Sequence, residues 1–133
     1  MKLSDLEAAF VKYIPRPPTA EERADNPQMA ADRVIDCFRI EGVSFAEADG
    51  LLFICPKSRA AGKDHYLQVY FHGGAVPERL GKNKDGKTVR WTKRGTCIED
   101  LVLTPSIQEQ DDGSCGWHGF VGGPSGERPG EAA

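Results

Sequence analysis

Apolar residues recur at helical spacing at the start of the chain, at Leu3, Leu6, Phe10, Val11 and Ile14, and this spacing predicts an amphipathic helix. Ser4 stands where it would cap that helix. Glu7, three residues on, would complete the reciprocal capping box. Pro15, Pro17 and Pro18 end the helix, because proline lacks the amide needed to continue it and restricts the residue before it. Thr19 reads as a cap at the head of the polar stretch 19–26, which forms a second short helix or an ordered loop. Residues 27–38 read as a further helix, or alternatively 33–40 contain a strand.

From about residue 43 the pattern turns to β structure. Leu51-Leu52-Phe53-Ile54 is a compact apolar strand that delivers Cys55-Pro56 at its end. Residues 66–71 alternate imperfectly and stop at His72-Gly73-Gly74. Asp85-Gly86 is a tight turn feeding a strand over 87–91. Leu101-Val102-Leu103 leads into the extended segment Thr104-Pro105-Ser106-Ile107. Residues 116–121 suggest a last strand, in which Trp117 and His118 face opposite sides. The glycine- and proline-rich tail has few groups able to pack and is expected to be loose. The expected fold class is α+β, mainly β: a small antiparallel sheet domain over 43–122, an N-terminal helical extension over 1–42 and a flexible tail over 123–133.

Composition narrows the class. The chain has 133 residues, which suits one domain. Its 39% apolar and 28% charged content is that of a globular protein rather than a disordered one. No 18-residue apolar run is present, and the opening residues do not lead into a signal-peptide core, so a cytoplasmic protein with no membrane span is expected. In that reducing setting the cysteines at 37, 55, 97 and 115 suit thiols or metal ligands better than bridges. The net charge of -3 is segregated: residues 57–94 carry ten basic and three acidic side chains. Such a segment could steer a polyanion, although no row of aromatic residues interrupts it as base stacking requires.

The chemistry-bearing residues centre on Cys115-Gly116-Trp117-His118, a thiolate and an imidazole three positions apart. Cys55, held after a strand and before Pro56, could supply a third ligand, and His65 a fourth. Together these four make a tetrahedral Cys2His2 set suited to zinc, with His72 as a competitor for the histidine place. With four protein ligands the zinc is structural. With water in the fourth place, and Glu99 or Asp100 as general base, it is hydrolytic. Thiol chemistry at Cys115, with His118 or His72 as base, is a further possibility. The plainer alternative makes Cys55 and Cys115 small buried apolar residues, as Cys37 and Cys97 are expected to be.

The order of these motifs resembles the uncharacterised DUF6527 (BubE-like) family of bacteria and bacteriophages: Phe53-Ile54-Cys55-Pro56, then His65-Tyr66-Leu67, Trp91, Leu103-Thr104-Pro105-Ser106-Ile107, and finally Cys115 and His118. The resemblance covers roughly residues 50–122. It implies that Cys55 takes the first cysteine position and that Cys115 and His118 take the late Cys/His positions. The family's second early cysteine is absent, since Lys57 and Ser58 come after Pro56. The leading functional expectation is a small zinc-stabilised structural or interaction protein with protein partners, a component of a phage particle. The alternatives are a peptidase-like zinc hydrolase using the same centre and a polyanion-binding module.

Overall fold

The computed structural model describes residues 1–28, 36–78, 80–83, 85–108, 116–123 and 128–133. A 3-10 turn at Leu3–Leu6 leads into β1 (Ala9–Arg16), a short helix α1 (Ala20–Asp25) and β2 (Asp36–Glu41). Then come β3 (Gly50–Ile54), helix α2 (Pro56–Ala60) and β4 (Tyr66–Tyr70). After β5 (Thr92–Arg94) a second 3-10 turn, Ile98–Asp100, precedes β6 (Val102–Thr104), β7 (Ile107–Gln108) and β8 (His118–Gly119). The main sheet is antiparallel, in the order β2-β1-β3-β4, and the ribbons β5-β6 and β7-β8 stand beside it. The fold is α+β and mainly β, with a short helical turn and α1 in its N-terminal region beside the larger antiparallel sheet.

The N-terminal helix does not extend as its apolar spacing predicts. It stops after Leu6, where Glu7 takes a left-handed backbone conformation at φ 53°, and no capping box forms between Ser4 and Glu7. Residues 9–16 are instead a strand paired on both sides, with β2 over Val11–Arg16 and with β3 at Ala9–Val11. Phe10, Val11 and Tyr13 are β-branched or aromatic and all buried, so sheet packing outweighs local helical spacing. Pro15 is tolerated in β1 because β3 has already ended beside it, and no ladder partner awaits its missing N–H. Residues 1–42 thus supply two of the main sheet's four strands.

Thr19 does cap a helix. Its hydroxyl accepts from the Glu22 N–H at 3.2 Å, and the Glu22 carboxylate accepts from the Thr19 N–H at 3.0 Å. The Arg16 guanidinium, 2.8 Å from Glu22, together with these cap hydrogen bonds lowers the Glu22 carboxyl to a pKa of about 2. Of the helix expected over 27–38, residues 29–35 lie outside the described residues, and Asp36–Glu41 is a strand. The turn at Asp85-Gly86 is present, closed by Gly86 N–H to the Asn83 carbonyl at 2.9 Å, but the strand expected over 87–91 is reduced to isolated bridges at Thr88 and Trp91, with β5 following at Thr92–Arg94.

One face of the main sheet makes the core. Phe10, Leu51, Phe53, Leu67 and Val69 lie directly opposite one another across the ladders and so share that face. They pack with Leu3, Leu6, Leu101, Leu103, Ile107 and Trp117, and Trp117 meets Phe53 edge to face at 6.1 Å. The end of the chain is not loose in its described part. Ala132 is buried, Gly130 bonds to Leu3 and Leu101 at 2.8 Å each, and Ala133 exchanges two backbone hydrogen bonds with Phe120. Backbone pairing orders this segment where side-chain packing offers little, and glycine allows the close approach: a Cβ at Gly130, whose φ is +80°, would press on the Glu99 backbone.

Candidate functional site

Cys55 comes directly after the last residue of β3 and opens α2. The strand carries it into the core, where it is fully buried, and its N–H donates to the His65 carbonyl at 2.8 Å. The two residues therefore meet through backbone. The His65 N–H donates to the Ser58 hydroxyl at 3.0 Å, and the ring Nδ1 is buried with no hydrogen-bond partner. His118 lies in β8 opposite Gln108. Its ring is exposed, and Nε2 stands 3.2 Å from the Ser106 hydroxyl. The alternation of the strand turns Trp117 inward and His118 outward, as the sequence predicts. Cys115 lies outside the described residues.

Among the described residues no three His, Cys, Asp or Glu side chains come together where they could hold a metal ion. The expected zinc centre of Cys55, His65, Cys115 and His118 is corrected on this finding. With it go the zinc-stabilised structural protein and the zinc-dependent hydrolase built on the same centre. A zinc site needs several ligand atoms within about 2.0–2.3 Å of one point. Cys55 is instead committed to the core, and His118 to the exposed side of a separate two-stranded ribbon.

The Ser106–His118 pair carries no nucleophile chemistry by itself. Among the described residues no carboxylate is hydrogen-bonded to His118, so the group that orients the base in such pairs is missing. Two cations of the basic segment are engaged inside the fold. The Arg90 guanidinium donates to the carbonyls of Leu80, Val89 and Pro77 at 2.8–3.1 Å and lies over the Tyr70 ring. The Lys93 ammonium donates to the carbonyls of Phe45 and Ala48 and sits 4.3 Å from the Phe45 ring centroid. Burial lowers the Lys93 pKa, with the charge of Asp49 opposing that shift. Two cations of the stretch thus act as internal clamps, and the polyanion reading loses them.

Two features escaped the residue patterns. The first is Asp49, buried just before β3. Its two carboxylate oxygens accept from the N–H groups of Tyr13 at 2.9 Å and Ala75 at 3.2 Å. Its own N–H and carbonyl bond to Val11 and Phe71 at 2.8 Å each. It ties β1 to the sheet where β3 begins, and a lone acid before an apolar strand carries no sequence signal of that role.

The second is the β1–β2 pair. Lys12 opposes Ile40 and Ile14 opposes Phe38, which puts these residues on the face of the sheet that elsewhere makes the core. Here that face is uncovered: Phe38 is 60% exposed, Ile40 44% and Ile14 41%. These three large apolar side chains adjoin one another on that face and form an exposed apolar patch. The alternation Phe38-Arg39-Ile40-Glu41 is its legible trace in the sequence.

No family model, no curated protein and no solved structure matches the chain. The phage-family and virion identity drawn from the resemblance therefore does not stand. No helix among the described residues is long and apolar enough to cross a membrane.

Proposed function

We propose that the chain is a protein-recognition module that engages its partner through the β1–β2 pair. The observation that carries this reading is the core face of the sheet continuing, uncovered, onto Ile14, Phe38 and Ile40. β2 ends the sheet order, so an extended partner segment can add to it as a further strand. In that mode main-chain hydrogen bonds supply affinity, and the side chains at alternate positions supply selectivity. Phe38 and Ile40 are the apolar anchors, and Arg39 and Glu41 present charge on the opposite face. A reducing, cytoplasmic setting fits this reading, since Cys97 carries a free thiol.

The test is a photoreactive side chain placed at position 38 in the full-length chain, with position 21 on α1 as control. A discrete protein adduct at 38 and none at 21 is expected, and it should disappear when Ile14 and Ile40 are changed to serine. Equal adducts at both positions, or none at 38, would sink the proposal.

A further inference from the structure

The chemistry of the β2 edge points to its partner, an inference that rests on the recognition surface proposed above. The Gly42 N–H donates to the Phe10 carbonyl at 2.9 Å, and this bond sets the phase of the β1–β2 ladder. Residues of an antiparallel strand alternately turn their N–H and C=O groups toward a given neighbour and away from it. Phe38 and Ile40, in phase with Gly42, therefore bond to β1, and Cys37, Arg39 and Glu41 turn their backbone groups outward. The β1 side agrees: Tyr13, opposite Arg39, sends its N–H away from β2, to Asp49. Among the described residues no strand pairs with the outer edge of β2. Strands at sheet edges are commonly blunted by proline, lysine, a bulge or short length, and Asp36–Glu41 contains no proline, glycine or lysine over six residues. By contrast, the far end of β4 is taken up by Trp91, whose N–H bonds to the Tyr70 carbonyl at 2.8 Å.

We infer that β2 pairs antiparallel with β2 of a second copy of this chain, with Arg39 of each copy opposite Glu41 of the other. Outward-turned residues must oppose outward-turned residues, which leaves a short set of registers. Arg39 opposite Arg39, or Glu41 opposite Glu41, sets like charges directly across the ladder, which is unfavourable. Arg39 opposite Cys37 leaves the charges unmatched. Arg39 opposite Glu41 matches them twice, once on each side of the two-fold axis, as a self-complementary interface requires. The same register brings Ile40 against its own counterpart, with Phe38 flanking it, so the uncovered apolar face is shared between the copies. Within one chain the Arg39 guanidinium lies 3.2 Å from Glu41, with 43% and 52% of their side chains exposed, and donates to the Gln68 side-chain oxygen at 3.0 Å; its remaining N–H groups are the ones that would meet Glu41 of the other copy. A six-residue strand makes a small interface, and a concentration-dependent dimer is expected rather than a permanent one.

Sedimentation velocity on the full chain from about 10 to 500 µM, the range a small interface calls for, tests this. The wild type should shift from monomer to dimer. R39E and E41R each put like charges across the axis and should weaken dimerisation about tenfold or more, with circular dichroism and melting temperature confirming that both still fold. An equimolar mixture of the two variants places opposite charges across the edge again and should restore the dimer. A wild-type chain that is monomeric throughout overturns the inference, and so does a dimer indifferent to the charge reversals. If such a monomer still gives an adduct to another protein at position 38, the second-copy inference falls and the recognition surface stands. If it gives none, both fall.

Discussion

Asp49 shows how much one buried carboxylate can organise when its partners are backbone. Its oxygens satisfy two N–H groups, on Tyr13 and Ala75, that no strand is placed to serve. Removing the side chain leaves the buried Tyr13 N–H without an acceptor, which costs about 1–3 kcal/mol, whereas the N–H of exposed Ala75 can turn to water. Asp49→Ala should therefore lower unfolding free energy by about 1–3 kcal/mol, measured by urea denaturation. Asp49→Asn should cost less, because its amide oxygen still accepts from one of the two. Equal losses in both variants would show that the charge, rather than the acceptor geometry, is what matters there. Lys93 is the counterpart on the cationic side, set over the Phe45 ring and against backbone carbonyls.

The elements near the N-terminus separate two capping signals that look alike in the sequence. Ser4 with Glu7, and Thr19 with Glu22, are the same motif at the same spacing, yet only the second makes its reciprocal hydrogen bonds. Thr19→Ala should cost about 1 kcal/mol, and Ser4→Ala should fall within about 0.5 kcal/mol of the parent, as an exposed substitution away from a cap does. Thermal melts of the two variants decide this, and a larger loss at Ser4 would overturn the assignment of the first turn. The difference comes from the residues downstream of each motif. After Glu22 the chain is polar and exposed, and local hydrogen bonds decide. After Glu7 the run Phe10-Val11-Lys12-Tyr13 is claimed by neighbouring strands on both sides.

Over the whole molecule, stability comes from an apolar core and from backbone pairing that joins the two ends of the chain. Leu3, Gly130 and Leu101 are connected through Gly130's backbone, and Met1 and Ala132 bond at 2.7 and 2.9 Å. These contacts hold the parts together through the chain's own groups. Purified protein treated with a chelator at neutral pH should keep its melting temperature, and a clear fall would restore the metal centre to consideration.

The strands delivering Cys55 and Tyr66, the inward turn of Trp117 and the cap at Thr19 were legible in the sequence, because each rests on short-range alternation or on hydrogen bonds spanning three residues. The main β character of the fold was legible for the same reason. What only the tertiary structure decided was everything set by partners distant in the chain. Helical spacing from Leu3 to Ile14 gave way to a strand between two others, and glycines with little to pack gained order from backbone pairing. Cys55, which spacing offered as a ligand, went to the core, away from the exposed ring of His118. The exposed apolar patch was half visible: alternation marked Phe38 and Ile40 as the side chains of one strand face. Whether that face was buried or bare depended on how far the covering segments reach across the sheet, and no local pattern carries that distance.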